Sequence, residues 1–548
     1  MADMIETAVA YHERTKHHPY AYARSLGYLD WATQPNPFRR FQGAPVITLI
    51  HPQHSDSPAY DALFAGGVPA QPINRQTISQ LLYDALALSA WKEAAPGNRW
   101  SLRVNPSSGD LHPTEGYLII GPHPGLGESA AVYHYASYEH ALERRVTLRA
   151  SEWAEIARQL SPNAFLMGLT SIYWRESWKY GERAFRYCHH DVGHAIGTIT
   201  LAAAVLGWQV AVLNGPSTEE IEILLGCHQQ QGIEAEHADC LLAVSPGAES
   251  LVTTLSLPPA LIERLRQTRF VGHPNRLSPD HQKWPIIDSV AAATRYPGEE
   301  GVPGSRALWG AQTNALPGLH REVSARQLIH RRRSAVAMDG KTWINERFFY
   351  GILRRATPVV SPFPYTVLPW QPRLSLALMV HRVRGVESGL YLLVRHPSHL
   401  ASLQSNLGEG FLWCKPARCP RDLPLYLLVE GDTRALANFV SCHQDIAADG
   451  VCSLGMLAQF THSLEEGAWM YPRLFWEAGL IGQVLYLEAE AADLRATGIG
   501  CFFDDVMHKL LGIADHSWQS LYHFTLGGAL DDPRLKTLHP YFHKGMGL

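Results

Sequence analysis

The sequence predicts an α+β protein in which one domain occurs twice, the two copies pairing inside a single chain. Three observations lead there. Each half runs through helices, a strand pair, a long apolar helix and a closing strand, so helices and strands are segregated rather than alternating. Segments of the halves are similar to each other: Ala131-Val-Tyr-His-Tyr-Ala-Ser-Tyr-Glu-His-Ala-Leu to Gly389-Leu-Tyr-Leu-Leu-Val-Arg-His-Pro-Ser-His-Leu, and Gly193-His-Ala-Ile-Gly-Thr-Ile-Thr-Leu to Gly479-Leu-Ile-Gly-Gln-Val-Leu-Tyr-Leu. Each half also ends in a short apolar strand that runs into glycine, LLAVSPG and YHFTLGG. The period of about 260–290 residues excludes a solenoid of short units. A duplicated domain can imitate a two-fold dimer within one chain.

The elements follow in order. Residues 1–258 form the first domain, which closes at LLAVSPGAES and the proline-rich LSLPPAL. Residues 259–320, with VGHPNRLSPD and RYPGEEGVPGSR, lack periodicity and read as a linker or a wrapping arm. Residues 321–548 form the second domain, from REVSARQLIHRRRSAV onward. Ala195 to Leu213 is uncharged and long enough for a membrane span. Its Gly197, Thr198, Thr200, Gly207 and Gln209, and the His/Asp-rich lead into it, predict a buried helix running into a strand instead.

With 548 residues, 46% hydrophobic and 18% charged, the chain can bury a core without a metal or disulfide staple. That composition excludes disorder over most of its length. A net charge of −4 gives no basic footprint for nucleic acid. The first twenty residues lack the apolar core of a signal peptide. Eight cysteines without a CxxC pair fit a reducing cytoplasm.

Four segments can carry chemistry. Arg331-Arg332-Arg333-Ser334 suits a phosphate, which guanidinium groups grip through bidentate charge-assisted hydrogen bonds; a solvated basic turn would carry the same residues. Ala496-Thr-Gly-Ile-Gly-Cys-Phe-Phe-Asp-Asp505 follows the second long helix, and its glycines would let backbone approach a flat ligand. It lacks the third glycine of a dinucleotide fingerprint. Arg103-Val-Asn-Pro106-Ser107-Ser108-Gly109-Asp-Leu-His-Pro-Thr-Glu115 is a loop able to present N–H and O–H donors. Trp174-Arg-Glu-Ser-Trp-Lys179-Tyr180 sets a lysine among aromatic rings, where lost solvation favours a neutral amine able to exchange protons; a lysine reaching for solvent is the plainer reading. His190-Asp-Val-Gly-His194 comes close to HExxH, but its acid is one methylene short and no third ligand follows, so no metal is expected.

Together the four segments resemble the nitroreductase superfamily, and within it the SagB/ThcOx-type dehydrogenases. Their order and spacing carry the resemblance, which covers both halves. It implies two nitroreductase-like domains, each a mixed or antiparallel sheet flanked by helices, with FMN at the interface of the pseudo-dimer. The family's Arg-x-Ser-x-Arg phosphate motif is matched by Arg332, Arg333 and Ser334; its last basic position is Val336 here, which leaves help to Arg331 or to Arg534 and Lys536. The flavin-edge loop is similar to Gly498-Ile499-Gly500, and the Pro-Ser-Ala-Gly segment to Pro106-Ser107-Ser108-Gly109. The family's catalytic Lys-Tyr pair matches Lys179-Tyr180.

The matched elements are split. The second half keeps the arginines and the Gly loop; the first keeps Pro-Ser-Ser-Gly and Lys-Tyr. The complementary set is missing: SDSPAYDALF has no arginine, the loop in VAVLNGPSTEE has no GxG, and LPWQPRLSLALM replaces Pro-Ser-Ser-Gly. Trp469-Met470-Tyr471, or Glu465 in a gapless alignment, stands where a lysine would be. One FMN site and one dead site are therefore expected. The resemblance implies azoline oxidation to the azole in a peptide or small molecule, with dioxygen reoxidising the flavin. An NAD(P)H-dependent nitro or quinone reductase, and a non-catalytic partner in a peptide-modifying complex, are the alternatives.

Overall fold

The computed structural model describes residues 2–52, 57–247, 251–299 and 322–546. Part of SDSPAYDALF, the last three residues of LLAVSPGAES and the 300–320 portion of the connecting segment lie outside the described residues. The first half contains a seven-stranded sheet of β1 (Val46–Thr48), β2 (Thr114–Ile120), β3 (Ala131–Ala136), β4 (Ala141–Thr147), β5 (Phe165–Ser171), β6 (Trp208–Val212) and β7 (His237–Pro246). Their order in space is β1-β4-β3-β2-β5-β7-β6, all pairs antiparallel. The second half has six strands: β8 (Leu374–Val380), β9 (Gly389–Leu393), β10 (Leu425–Glu430), β11 (Cys452–Gln459), β12 (Arg495–Ile499) and β13 (Trp518–Gly527). Their order is β10-β9-β8-β11-β13-β12, again antiparallel. Without the edge strand β1, the two orders are the same. The segments whose sequences are similar occupy equivalent places: β3 and β9, then β7 and β13.

Four helices position the site: α1 (Ala2–Arg14), α2 (Tyr173–Tyr180), α3 (Ala184–Val205) and α4 (Met470–Ala491). Helices α3 and α4 pack against each other at the centre and are buried along nearly their whole length. The uncharged Ala195–Leu213 run is the end of α3 and then β6, as predicted, and no helix among the described residues is long and apolar enough to cross a membrane. At the crossing the backbones almost touch. A Cβ on Gly193 would lie 2.2 Å from the Trp476 carbonyl oxygen, and one on Gly479 would lie 2.2 Å from the His190 carbonyl oxygen. Gly193→Ala is expected to destabilise the chain by about 1–3 kcal/mol despite the better helix propensity of alanine. A urea midpoint that rises instead would contradict the close approach.

The halves are also laced together by their ends. The His12 ring on α1 contacts the Tyr471 hydroxyl and the Gln519 side-chain oxygen, both at 3.3 Å. Residues Lys536–Leu538 add a strand to a hairpin of the first half, Leu88–Ala95 with Asn98–Arg103. The Tyr541 hydroxyl, fully buried, donates to the Ser137 carbonyl at 2.9 Å. Arg183 and Arg186 reach from the first half to Asp504 in the second, at 3.1 and 2.8 Å. Burial alone would raise the Asp504 pKa; the two guanidinium groups outweigh it and hold the carboxyl well below the usual range.

Residues 259–299 lie along the first half. Leu261, Ile262 and Leu265 of helix Pro259–Gln267 join its core, and Ile287 and Val290 of helix Pro285–Ala293 join the central one. Helix Ala325–Arg331, which the sequence assigns to the second domain, packs on the first. Its Arg326 and His330 both contact the buried Asp84 carboxylate at 2.8 Å.

Candidate active site

Helix α2 delivers Lys179 and Tyr180 in its last turn. It stops at Gly181, whose φ of +55° is open to glycine, and where a Cβ would come within 2.3 Å of the Arg24 carbonyl oxygen. The loop after the hairpin brings Gly109 against the pair. Gly109 has φ +62°, and a Cβ there would lie 2.6 Å from the Tyr180 hydroxyl and 2.8 Å from the Lys179 ammonium. Pro106 precedes it and is buried.

Ser107 and Ser108 turn elsewhere than expected. The Ser107 hydroxyl accepts from the His112 amide at 2.8 Å and hydrogen-bonds Asp191. The Ser108 amide and hydroxyl both donate to Asp191 on α3, at 3.1 and 3.3 Å. A buried carboxyl takes nearby donors, and both hydroxyls are bonded to the Asp191 carboxyl on α3.

The second half supplies the basic groups. Arg332 is 4% exposed. Its Nη2 donates to the carbonyls of Arg103 and Val104 at 3.2 and 3.4 Å, its Nε has no partner, and its plane lies over the Tyr486 ring at 5.0 Å. Arg333 donates to the Ser89 carbonyl at 2.9 Å. Neither guanidinium forms an ion pair with a carboxylate among the described residues. Burial lowers both pKa values, and the neighbouring Arg332 helps bring Arg333 down to about 10. Lys92 stands close enough to Arg333 that, after burial, its charge is the largest influence lowering the ammonium pKa. Ser334 and the Gly498 amide share the Tyr486 hydroxyl, at 2.8 and 3.0 Å. The Ile499 side chain is buried in the core of the second half. The Gly500 carbonyl accepts from Arg183 at 3.1 Å, and a Cβ on Gly500 would collide with Tyr187 of α3.

Three expected helpers are not part of this cluster. Arg331 is half-exposed and bonded to Glu490 at 3.0 Å. Arg534 is 84% exposed and paired with Asp532. Lys536 is exposed, opposite Glu93 on the added strand. Each is satisfied by solvent or a nearby acid, so none converges on Arg332 and Arg333. Lys92 lies closer to Arg333 and donates to the Thr537 hydroxyl at 2.8 Å.

Asp110 joins the two groups. Burial raises its pKa to about 6, against the opposing pull of Arg332, Lys179 and Arg333. It thus feels cations of both halves at once. Glu176 lies one turn before Lys179 and Tyr180 on α2. It is fully buried, both its carboxyl oxygens lack a partner, and burial followed by the nearby Asp191 pushes its pKa well above the usual range. Tyr180 is raised well above the phenol value by burial and then by Glu176. Asp110, Glu176, Asp191, Lys92 and Tyr486 had no assigned role in the sequence reading. Glu176 was visible in principle, because residues three and four apart share a helix face.

These residues fit FMN. The Arg332 and Arg333 guanidinium groups, the first buried and the second half-buried, have no carboxylate partner among the described residues and leave positive charge that a phosphate would neutralise. The unpartnered Asn105 Oδ1 and Arg332 Nε lie beside it in the chain and in space. Gly498, Gly500 and Gly109 present backbone among Tyr486, Tyr522, Tyr187 and Tyr180. His190 and His194, the residues considered for metal, pack on Tyr522 instead: the His190 ring stacks at 4.0 Å and the His194 Nε2 lies 3.2 Å from its hydroxyl.

The pseudo-symmetric place is different. With Gly193 opposite Gly479, Tyr187 corresponds to Arg473 and Asp191 to Glu477. The Arg473 guanidinium fills that place, 4.3 Å from the Tyr296 ring centre, 4.4 Å from Trp469 and 5.3 Å from Trp370. Glu477 is neutralised by Arg395 at 2.6 Å. The remaining cavity is about 190 Å³, below the range of roughly 300–1,000 Å³ for small-molecule sites.

Residues 69–247 match the Nitroreductase family model. The putative nitroreductase MJ1384 of Methanocaldococcus jannaschii is 26% identical over 146 residues, 25% of this chain and 67% of that protein. A putative nitroreductase from Anabaena variabilis superposes with a TM-score of 0.67 over 96% of this chain and 99% of its own, at 21% identity. A chain of the E. coli microcin synthetase McbBCD complex aligns over 45% of this chain and 95% of its own, at 18% identity and a TM-score of 0.27. The chain therefore has the fold of the Anabaena variabilis protein along its length, and its residues 69–247 match the Nitroreductase family model.

Proposed function

We propose that this chain is an FMN-dependent oxidoreductase with one cofactor site, built from both halves, that oxidises azoline-type heterocycles to azoles. The observation that carries the reading is the contact of Arg332 and Arg333, from the second half, with the Arg103, Val104 and Ser89 carbonyls of the first, with no carboxylate partner among the described residues. The phosphate would rest on Arg332 and Arg333, with Lys92 adding charge. Ser334 is held ready by Tyr486. The backbone of Gly498, Ile499 and Gly500 would meet one edge of the ring, and Gly109 would approach from the other half. Bound there, FMN supplies a two-electron acceptor.

The chain's own work is proton transfer and positioning. Lys179 Nζ or the Tyr180 hydroxyl oxygen would take the proton that leaves the azoline ring. The two groups reach the same point, beside the Gly109 backbone. Glu176 on α2 and Asp191 on α3 are buried acids in the same region.

Flavin counting tests the architecture. The purified chain is expected to carry one FMN, by absorbance against protein mass, because Arg473 and the arm residue Tyr296 fill the second place. Two FMN per chain would overturn the single-site reading. Substrate class is tested separately: a model thiazoline should lose 2 Da on aerobic incubation. Rapid bleaching of the flavin by NAD(P)H, with no change in the thiazoline, would support a nitro or quinone reductase instead.

A further inference from the structure

Two of the eight cysteines touch. Cys442 Sγ and Cys501 Sγ are free thiols 2.9 Å apart. Both are half-buried, whereas Cys188, Cys227, Cys240 and Cys452 are buried. The contact is fixed by the backbone rather than by side-chain wandering. Cys442 and His443 both hold positive φ, +54° and +59°, which turns Cys442 toward the Gly loop. The Phe503 amide donates to the Val440 carbonyl at 2.8 Å, and the Gln444 side chain donates to the Cys501 carbonyl at 3.0 Å. These two bonds staple the turn at 440–444 to the segment that follows Gly500.

The surroundings favour a thiolate at Cys501. The His17 Nδ1 accepts from the Ala23 amide at 2.9 Å. In the neutral ring the proton therefore sits on Nε2, and His17 hydrogen-bonds Cys501. Arg183, bonded to the Gly500 carbonyl one residue away, adds positive charge. The contact with Cys442, then His17 and Arg183, bring the Cys501 thiol down to about 5 against the effect of burial. A thiolate is the reactive form of cysteine.

We propose that Cys442 and Cys501 are a reversible dithiol–disulfide pair, oxidised by a peroxide and restored by a small dithiol. Oxidation starts when the Cys501 sulfur attacks one peroxide oxygen. The S–O bond forms, the O–O bond breaks, and the other oxygen leaves as water or an alcohol. The Cys442 sulfur then attacks the Cys501 sulfenic acid; the S–S bond forms, the S–O bond breaks and water leaves. The two sulfurs lose two electrons and the peroxide gains two. Closing from 2.9 Å to a bond of about 2.05 Å needs less than a side-chain rotation's worth of movement. The bond would tie the 440–444 turn to Gly500. The inference does not depend on which substrate the site takes.

The test uses the full chain. It is treated with hydrogen peroxide, unfolded in an alkylating reagent and mapped without reduction. A peptide pair joined through Cys442 and Cys501, 2 Da lighter than the sum of the thiols and lost on dithiothreitol treatment, is expected. In Cys442→Ser, a sulfenic-acid probe should label Cys501 and leave the exposed Cys414 unlabelled. Both thiols alkylated as fully after peroxide as before it, or cross-links scattered among other cysteines, would overturn the pair. Labelling of Cys414 but not Cys501 in the variant would overturn Cys501 as the attacking sulfur.

Discussion

Arg333→Ala protein is expected to purify folded but colourless. Its half-buried guanidinium lies near that of the buried Arg332, neither forms an ion pair with a carboxylate among the described residues, and Arg333 is held on the backbone carbonyl of Ser89. Removing one partner of a buried charge-assisted contact costs about 2–5 kcal/mol. That corresponds to FMN binding weaker by roughly 30- to 5,000-fold. Titration of the apo-protein with FMN, followed by flavin fluorescence, reads the change directly. Arg333→Lys should recover part of it, since the charge returns without the planar fork. Circular dichroism separates loss of flavin from loss of fold. Wild-type FMN content in Arg333→Ala would place the phosphate somewhere other than this cluster.

Lys179→Ala should behave in the opposite way. It is expected to keep its yellow colour and lose turnover by about 10²–10⁴-fold, the usual contribution of a positioned acid or base. The reason is spatial. Lys179 lies on the first half, next to Gly109, whereas the anion pocket belongs to Arg332 and Arg333. Tyr180→Phe provides the companion measurement. A large loss in Lys179→Ala with a small one in Tyr180→Phe assigns the proton to the amine; the reverse assigns it to the phenol. Unchanged turnover in both would remove the pair from the mechanism.

Much of the fold was legible in the chain. The similar segments around Ala131 and Gly389 became equivalent strands, because alternation and apolar content set which stretches can fill the middle of a sheet. The long uncharged run ending at Leu213 became a buried helix and strand, because helices α3 and α4 cover each other. The loop of Pro106 to Gly109 and the end of α2 were also recognisable as neighbours of chemistry. Direction was not legible. The Ser107 and Ser108 hydroxyls are bonded to Asp191. Lys536 is exposed on a strand added to the other half, and Arg534, just before that strand, is exposed and paired with Asp532. Whether a side chain faces a buried acid or solvent depends on residues distant in the chain, Asp191 lying 83 positions from Ser108, so composition and spacing do not carry it.

The sequence by itself determined two copies of one α+β unit and the residue types able to grip an anion and move a proton. Tertiary structure decided which of them meet. Arg332 and Arg333 meet the Arg103, Val104 and Ser89 carbonyls of the first half in a chain whose halves pack closely, Gly193 against Gly479. At the opposite end of the same helix pair, Arg473 settles among Tyr296, Trp370 and Trp469 and fills the matching place. The physical reason is that each half buries one end of the other.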